Sequence, residues 1–372
     1  MNYNLTEKQQ EGLEICLKRY KDKRPYTIIA GYAGTGKSYL VNAIVDSFGF
    51  SENQVAYACY TGKAALVLQQ QGKNAITLHK LLYMSYPNGM GGFIHKPREF
   101  LDPNLKLIIV DEISMCPKEL WQLLLKHKIY IIGLGDPFQL PPIGEDLGLL
   151  DYPHIFLTEV MRQALDNDIV KYSMDLREGN QLQPGIRGKN IQTYKKSEFT
   201  TVMMQWADQI LCGKNDTRRM LNEEMRKLLG KEGIVAENDK MICVKNYWDR
   251  ISDDGNFLVN GTIGTIKNVK IDNKVIISEF FLDEDNSFGK LSLDYNLLTT
   301  GKATILKAPN GKIKLNPNIE MDYGYAITVH KAQGSQFNKV LVYDDCWLKD
   351  EEYRRWLYTA ITRAVDKVVV LL

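Results

Sequence analysis

Long apolar runs are absent from this sequence of 372 residues. No stretch of about 18 consecutive apolar residues occurs, so no membrane-spanning helix is predicted. The first ten residues, MNYNLTEKQQ, lack the apolar core of a secretory signal peptide. Closely spaced cysteines are absent too, because none of the six cysteines forms a C-x-x-C pair. Neither a zinc site nor a disulfide framework is therefore predicted, and a reducing, cytoplasmic location fits.

A strong charge of either sign is also missing. The 47 lysines and arginines nearly balance the 45 aspartates and glutamates, which leaves a net charge of +2. This balance argues against a protein that coats duplex DNA with a broad basic face. It does not exclude a narrow basic groove, because lysine and arginine can be segregated locally.

What is present first is a glycine-rich segment, GYAGTGKS (31–38), of the form G-x-x-x-x-G-K-S. The apolar run PYTIIA (25–30) precedes it, and KSYLVNAIVDSF (37–48) follows with helical spacing. Strand, glycine loop and helix are the context that a phosphate-binding loop requires. A glycine turn before an ordinary helix is the alternative.

Three further apolar runs follow this segment: QVAYACY (54–60), LKLIIVDE (105–112) and IYIIGLGD (129–136). Each is nearly continuous rather than alternating, as in parallel strands that are covered on both faces. Residues 1–155 are therefore predicted to form one doubly wound α/β domain. The Asn88-Gly89 and Gly91-Gly92 pairs predict a hairpin between 83 and 100, within an insertion spanning about 80–103.

The remainder of the chain changes character twice. Residues 246–320 are strand-like and rich in turns, which predicts a small antiparallel β-module. Residues 156–245 and 321–372 have α/β character. The fold class predicted is therefore α/β, with two α/β domains and a β-module inserted in the second.

The loop residues have a defined chemistry with nucleoside triphosphates. Gly31, Gly34 and Gly36 let backbone N–H groups approach phosphate oxygens, and the following helix presents its positive end to the anion. Lys37 would reach the β- and γ-phosphates, and Ser38 would bind Mg²⁺. The predicted cofactors are thus ATP and Mg²⁺.

An acidic pair follows the apolar run that ends at Val110. Asp111 would hold Mg²⁺, and Glu112 would orient and deprotonate the attacking water. Acidic pairs are also common on surfaces, but this one comes at the predicted carboxyl end of a strand. We interpret both carboxylates as catalytic.

Ten motifs occur in an order that resembles superfamily 1 helicases, and within them the 5′→3′ branch that contains RecD and the phage helicase Dda. The motifs are LTEKQ (5–9), GYAGTGKS (31–38), CYTGKAA (59–65), TLHKLL (77–82), VDEIS (110–114), GDPFQLPP (135–142), LTEVMRQ (157–163), VNGTIG (259–264), YAITVHKAQGSQF (325–337) and YTAITRA (358–364). The resemblance implies two tandem RecA-like domains, 1–155 and 156–245 with 321–372. It also implies a strand-separating pin in the first domain and a small β-barrel, 246–320, in the second.

The resemblance implies further roles at the ATP site. Gln9 corresponds to the residue that reads adenine, and Gln139 to the residue that links the γ-phosphate to the DNA groove. Arg162 and Arg363 correspond to two arginines that reach the γ-phosphate from the second domain, although a structural salt bridge is an alternative for Arg162. The ATP-binding set implied by the resemblance is Gln9, Gly31, Gly34, Thr35, Gly36, Lys37, Ser38, Gly334 and Gln336. Gln336 departs from the family, in which many relatives have an acid there for the ribose hydroxyl, so base and sugar selectivity are in doubt.

A second implied set lies on the DNA side. Short hydroxyl side chains and loop amides hold phosphates without reading bases, as a motor that steps over any sequence requires. The candidates are Thr61, Lys63, Thr77, His79, Thr328, His330, Lys331 and Ser335. His79 is equally well explained as a loop histidine with satisfied hydrogen bonds. Phe93, Tyr86 and Phe100 are candidates for the tip of the pin, unless they anchor the hairpin to its own domain.

The leading functional hypothesis is an ATP-driven motor that moves 5′→3′ on single-stranded DNA and unwinds duplex DNA in replication, recombination or repair. A DNA-stimulated ATPase that acts as a loader or translocase subunit is the alternative from another class, and an RNA helicase is a third. The expected partners are single-stranded DNA and DNA forks, with single-strand-binding or replisome proteins as further candidates. No membrane partner is expected. We expect a monomer in the cytoplasm of a bacterial cell or a phage-infected host.

Overall fold

A computed structural model describes residues 3–60, 62–87, 93–141, 147–307, 313–314 and 316–372 of the chain. The first α/β domain is built from the amino-terminal part. Its elements in chain order are α1 (Glu7–Lys21), β1 (Tyr26–Gly31), α2 (Lys37–Phe48), β2 (Val55–Cys59), α3 (Gly62–Gln70), β3 (Ala75–Thr77), α4 (Leu78–Leu82), β4 (Tyr83–Pro87), β5 (Phe93–Pro97), β6 (Leu107–Val110), α5 (Lys118–Lys126), β7 (Tyr130–Gly135) and β8 (Ile155–Leu157).

Six parallel strands form the sheet of this domain, in the order β3-β2-β6-β7-β1-β8. Strands β2, β6 and β7 are buried along their whole length, which explains their continuous apolar sequences. Helices α1 and α2 cover one face, and α4 and α5 cover the other. The loops that follow β1, β6 and β7 therefore meet at the carboxyl edge of one sheet, where open α/β sheets bind ligands.

Strands β4 and β5 pair in antiparallel fashion, from Tyr83 opposite Pro97 to Pro87 opposite Phe93. They lie where the two glycine pairs predict a hairpin. Strand β5 lies against a strand of the inserted β-module, β12 (Tyr247–Ile251). The role of this hairpin as a strand-separating pin stays a prediction.

The second α/β domain begins after β8. Its first elements are α6 (Arg162–Leu165), α7 (Asp168–Arg177), β9 (Ile191–Tyr194), α8 (Thr201–Trp206), β10 (Gln209–Cys212), α9 (Asn215–Leu228) and β11 (Lys240–Cys243). The inserted module shares β11 and then consists of the following elements: β12, β13 (Phe257–Leu258), β14 (Ile263–Asp272), β15 (Val275–Phe281), β16 (Ser287–Leu293), α10 (Tyr295–Thr300), β17 (Leu306–Lys307), β18 (Ile313–Lys314) and β19 (Met321–Tyr323). The chain then returns with β20 (Ala326–Thr328), α11 (Val329–Ala332), β21 (Phe337–Tyr343), α12 (Asp350–Ile361) and β22 (Ala364–Leu371).

The sheet of the second domain is also parallel, in the order β20-β10-β21-β22-β9. Its main apolar core contains Trp356 and Leu357 of α12 together with Ile169 of α7. The same core includes Leu140 and packs against Phe138, both from the first domain. The two α/β domains are therefore in apolar contact across the cleft that separates them.

The inserted module contains an antiparallel sheet in the order β16-β15-β14-β11-β19. Strands β11 and β19 flank the predicted range 246–320 on either side. The backbone of Ile319 accepts a hydrogen bond from Asp294 and donates one to Ser292, which brings β16 close to the segment leading into β19. The core of this module includes Ile276, Phe280 and Met321.

Within the described part of the chain, no helix combines the length and the apolar character needed to cross a bilayer. All six cysteines are free thiols. Among the described residues, no group of three or more histidines, cysteines or carboxylates is arranged to hold a metal ion.

Candidate ATP site and nucleic-acid interface

The glycine-rich loop joins β1 to α2 with two residues in the left-handed region. Gly34 has φ 77° and Gly36 has φ 76°, a conformation that side chains other than glycine rarely adopt. Space is restricted as well, because a Cβ at Gly36 would lie 2.6 Å from the Gln9 amide nitrogen. Glycine is therefore required at Gly34 and Gly36, and the role of the loop backbone as a phosphate cradle stays a prediction.

Two side chains brace this loop. Lys37 Nζ donates to the carbonyl oxygens of Gly31 at 2.7 Å and Tyr32 at 3.1 Å. Thr35 Oγ1 donates to the Tyr32 carbonyl at 2.8 Å. Lys37 thus lies at the loop and would exchange these carbonyl partners for phosphate oxygens.

Gln9 is buried against the loop rather than exposed to an open pocket. It is 1% exposed, and its Nε2 donates to the Thr35 carbonyl at 3.2 Å. Its Oε1 accepts the Thr6 backbone N–H, which completes the cap of α1. Gln9 therefore links the first helix to the loop, and its reading of adenine stays a prediction.

The acidic pair follows β6, as the sequence predicts. Glu112 has φ 50°, a left-handed conformation that is unusual for a residue with a side chain. Its backbone N–H donates to Asp111 Oδ1 at 2.9 Å. Burial, together with the neighbouring Glu112 charge, raises the pKa of Asp111 to about 6, although Lys37 and Arg363 oppose that rise. The pair is thus held by an uncommon backbone turn at the end of a buried strand.

Gln139 extends this group on the side of β7. Its Nε2 donates to Glu112 Oε1 at 3.4 Å, so the amide and the carboxylate are neighbours. Asp136 accepts the backbone N–H of Phe138, which tightens the turn that carries Gln139. Burial raises the pKa of Asp136.

Arg363 reaches the same group from the second domain. It is 4% exposed, and its Nη1 lies 3.6 Å from Glu112 Oε1. Nη1 also donates to the Ser335 carbonyl, Nε donates to the Thr359 carbonyl, and Nη2 donates to Thr362 Oγ1. The arginine therefore bridges the cleft to the predicted catalytic base.

Tyr358, which begins the motif YTAITRA, is a second bridge that sequence reasoning missed. Its hydroxyl donates to Asp136 Oδ2 at 2.5 Å and accepts the Ala33 N–H of the glycine-rich loop at 2.8 Å. Burial and the Asp136 carboxylate raise the pKa of this hydroxyl well above its usual range, so it stays protonated. One side chain of the second domain thus holds together two loops of the first.

Other contacts join the second domain to the loop. The Arg177 guanidinium lies 3.8 Å from the centre of the Tyr32 ring, a cation–π distance. The Met161 N–H donates to the Gly34 carbonyl at 2.9 Å. Arg162 therefore follows a residue that touches the loop, while its side chain lies outside the described part. No local pattern in the sequence indicates that Arg177 or Tyr358 makes contacts across the cleft, although Tyr358 belongs to the motif YTAITRA.

We expect the Tyr358→Phe variant to lose coupling between the domains while it keeps its fold. Phenylalanine retains the ring packing on Phe138, whose centre lies 5.2 Å away, but removes two hydrogen bonds across the cleft. Losing about 2 kcal/mol from the contacts that close the cleft should lower the predicted ATPase rate about 30-fold. Steady-state ATPase assays with and without single-stranded DNA measure this.

Tyr353→Phe is the matched control for this variant. Tyr353 lies in the same helix, and its hydroxyl donates to Asp344 at 2.8 Å within the second domain. Both variants should melt near the wild-type temperature. Equal ATPase losses in the two variants would argue against a special role of the bonds across the cleft.

The residues present fit a magnesium–nucleotide complex. Ser38, the second residue of α2, is exposed, and the Asp111 carboxylate lies close enough to Lys37 for their charges to interact. Hydroxyl and carboxylate oxygens are the hard ligands that Mg²⁺ prefers. When bound, Mg²⁺ would neutralise charge on the β- and γ-phosphates. The raised pKa of Asp111 reflects a desolvated carboxylate whose ionised form a bound cation would stabilise.

One lateral edge strand of each sheet, β3 in the first domain and β20 in the second, begins a repeated segment. Residues 75–80 read AITLHK and residues 326–331 read AITVHK, so five of six positions are identical. In each copy a strand at the edge of its sheet ends in a threonine that caps a short helix. Thr77 Oγ1 accepts the Lys80 N–H, and Thr328 Oγ1 accepts the Lys331 N–H. The two domains therefore present the same small structure at equivalent places.

The histidines of this repeat are neutral at physiological pH. Burial lowers the pKa of His79 to about 4 and also lowers the pKa of His330. The His79 ring stacks against Tyr83, with 6.1 Å between ring centres. Either histidine would therefore meet a phosphate as a neutral hydrogen-bonding group rather than as a cation.

The structure gives less information on the other DNA-side candidates. Thr61 lies outside the described residues, as do the side chains of Lys63 and Phe93. Tyr86 is 45% exposed and Phe100 is 83% exposed, so neither is packed into the core of its own domain. These positions, as well as Lys331, stay predictions.

Three residues around Arg363 complete the predicted set. Ser335 is buried and its carbonyl accepts from Arg363, which places it beside the ATP-site arginine. Gly334 has φ 69°, and Gln336 is exposed. The roles assigned to them stay predictions.

Taken together, the fold and the site define a P-loop nucleoside triphosphatase whose cleft lies between two α/β domains. A model of the AAA domain matches residues 4–203, more than half of the chain, and the chain belongs to this family. A model of the UvrD-like helicase C-terminal domain matches residues 323–371.

Curated relatives agree with the motif order. The chain is 29% identical to the ATP-dependent RecD2 DNA helicase of Deinococcus radiodurans over 91% of this chain and 46% of the relative. It is 29% identical to the ATP-dependent DNA helicase Dda of Enterobacteria phage T4 over 47% of this chain and 43% of the relative. It is 26% identical to the ATP-dependent DNA helicase Pif1 of Campylobacter jejuni over 91% and 86%. These relatives confirm the resemblance to superfamily 1B helicases, although the chain spans less than half the length of the first two.

Solved structures confirm the fold. A Pif1 helicase from Bacteroides in complex with ADP-AlF3 and single-stranded DNA matches 99% of this chain and 92% of its own, at 16% identity and a TM-score of 0.53. Pif1 from Candida albicans matches 100% and 94%, at 20% identity and a TM-score of 0.52. The predicted arrangement of two tandem RecA-like domains is therefore correct.

Proposed function

We propose that this chain is an ATP-dependent DNA helicase that moves 5′→3′ along single-stranded DNA and separates duplex DNA. The observation that carries the proposal is the cleft, in which Arg363 and Tyr358 of the second domain contact Glu112 and the glycine-rich loop of the first. A nucleotide bound there would change how the domains meet. Relatives named as ATP-dependent DNA helicases support this reading.

In the proposed reaction, Lys37 and the loop amides hold the β- and γ-phosphates. Glu112 accepts a proton from the attacking water, while Gln139 holds the carboxylate in place. Arg363 transfers from Glu112 to the γ-phosphate and stabilises the charge that develops there. Because Arg363 comes from the other domain, hydrolysis requires a closed cleft, and product release reopens it.

The repeated A-I-T-x-H-K segments are the proposed grips on the strand. Each domain would hold the phosphate backbone through helix-start amides and neutral side chains, without reading bases. When the cleft closes and opens, one grip moves relative to the other. The hairpin of β4 and β5 is positioned beside the inserted module and would meet the duplex junction. Single-stranded DNA and forks are the proposed partners, and the bacterial and phage relatives favour a cytoplasmic setting.

Strand displacement on two matched duplexes tests this proposal. One duplex carries a 5′ single-stranded tail and the other a 3′ tail of equal length and sequence composition. We expect ATP-dependent displacement only with the 5′ tail. Displacement only with the 3′ tail would support a helicase but would show that it moves in the 3′→5′ direction. ATP hydrolysis on DNA without displacement from either tail would instead favour the loader or translocase alternative.

A further inference from the structure

A cavity of about 480 Å³ lies where the inserted module meets both α/β domains. Gly62 contributes from the first domain and Tyr325 from the second. The remaining lining residues belong to β11, to the turn before it or to the inserted module, and include Lys240, Asn256, Phe257, Thr265 and Phe288. The volume falls in the range of small-ligand sites and exceeds what a few water molecules need.

The walls of this cavity are largely apolar and aromatic. Phe257, Phe288 and Tyr325 are each 7–8% exposed, and Ile263 and Leu282 line the cavity beside them. None of its lining residues carries a carboxylate. Lys240 also lines the cavity, but its Nζ donates to the Asp208 carbonyl and to Gln209 Oε1. The cavity therefore suits a flat aromatic group and offers no acidic side chain that would repel a nucleic acid.

One polar side chain in this apolar setting lacks a partner. Asn256 is 8% exposed, and its Oδ1 is buried without a hydrogen-bond partner among the described residues. The backbone of Asn256 is satisfied by Ser252, so only the side-chain amide is left over. A buried unsatisfied amide oxygen costs about 1–3 kcal/mol. The oxygen is enclosed as the side chain stands, so a turn of the Asn256 amide toward the cavity would let a ligand donate to it and recover that cost.

The position of the cavity relates it to the predicted DNA path. Gly62 stands between Thr61 and Lys63, both predicted to contact DNA. Tyr325 comes three residues before Thr328, which begins the second repeated segment. Thr262 lies close to Gly62, since a Cβ at that glycine would be 4.0 Å from Thr262 Oγ1. Lys80 of the first repeated segment donates to the Asp254 carbonyl, two residues before Asn256. The cavity thus borders both proposed grips.

We propose that this cavity receives one nucleobase of the bound strand, turned out of the stack, with Asn256 hydrogen-bonding to its edge. The proposal rests on the proposed function, because it assumes that a strand passes between the grips. An amide carries both a donor and an acceptor, so it can pair with an edge of any base when its orientation is reversed. The contact would therefore hold a base without selecting a sequence, as stepping over any sequence requires.

The test uses a duplex with a short 5′ tail, whose junction fixes the register of the strand, in the absence of ATP. Single abasic residues replace each tail nucleotide in turn, and fluorescence anisotropy gives the affinity. We expect one tail position at which the abasic residue weakens binding about tenfold, the loss expected when one stacked base is removed. Asn256→Leu should weaken binding of the intact tail about threefold, the loss expected for one hydrogen bond. The abasic residue at the sensitive position should abolish most of the difference between the variant and the wild type.

Two further variants make this result specific. Asn296→Leu replaces an exposed asparagine on α10, away from the cavity lining, and should bind like the wild type. Thr265→Trp would fill the cavity from β14 and should mimic the abasic effect if Asn256→Leu does not fold. Thermal melting checks the fold of all three variants.

Several outcomes would overturn the inference. If no tail position is sensitive, or if the abasic and Asn256→Leu effects simply add, no base enters the cavity. If calorimetry shows thymidine binding that Asn256→Leu abolishes while no tail position is sensitive, the cavity takes a free nucleoside instead. If the wild-type protein unwinds tailed DNA but no abasic position in the tail weakens binding, only this inference is overturned. A wild-type protein that does not bind tailed DNA overturns the proposed function as well.

Discussion

Replacing Arg363 by alanine is expected to reduce DNA-stimulated ATP hydrolysis by about a thousandfold or more, the usual contribution of an arginine finger. Binding of ATP and of single-stranded DNA should change little, because the phosphate cradle and the repeated segments lie elsewhere. The structure adds a physical detail to this expectation, since Arg363 Nη1 lies 3.6 Å from Glu112 Oε1. In the proposed mechanism the arginine exchanges this carboxylate for the γ-phosphate.

Arg363→Lys separates charge from geometry in this experiment. Lysine keeps the positive charge but not the planar fork of donors that now contacts Thr359, Ser335 and Glu112. We expect most of the loss to remain in the lysine variant. Arg219→Ala, on the partly exposed face of α9, is the control and should behave like the wild type. A DNA-stimulated rate that is unchanged in Arg363→Ala, measured in single turnover, would remove this arginine from the chemistry.

Replacing Glu112 by glutamine is expected to lower the turnover rate by about 10²–10⁴-fold, the range for loss of a general base. Glutamine has the same size and can still accept the hydrogen bond from Gln139, but it cannot take the proton of the attacking water. ATP should bind with nearly wild-type affinity, because Lys37 and the loop amides are intact. Binding of a fluorescent ATP analogue and single-turnover hydrolysis measure the two effects separately.

Glu119→Gln serves as the control for Glu112→Gln. Glu119 lies exposed in the first turn of α5, seven residues further along the chain. It should hydrolyse ATP at the wild-type rate. If Glu112→Gln also does so, another group deprotonates the water and the assignment of the base is wrong.

The sequence predicts the parts of this molecule that depend on neighbours along the chain. The glycine-rich loop, the acidic pair after β6 and the continuous apolar strands all follow from short segments whose spacing is directly readable. Strands β1, β2, β6 and β7 could be predicted for the same reason, since each is a self-contained apolar run.

Contacts between distant segments could not be predicted in this way. Tyr358 joins Ala33 and Asp136, which are 325 and 222 residues away along the chain. The cavity around Asn256 takes residues from three parts of the fold. The left-handed turn at Glu112 is also invisible to pattern, because glutamate rarely adopts it and the surrounding structure imposes it.

The near-identity of AITLHK and AITVHK has a consequence for direction. In the proposed function, two grips built from the same residues and the same capped turn would not by themselves set a direction along the strand. The order in which the two grips release the strand would then set it. The proposed source of that order is the cleft, to which one domain contributes the glycine-rich loop and the other contributes Arg363 and Tyr358.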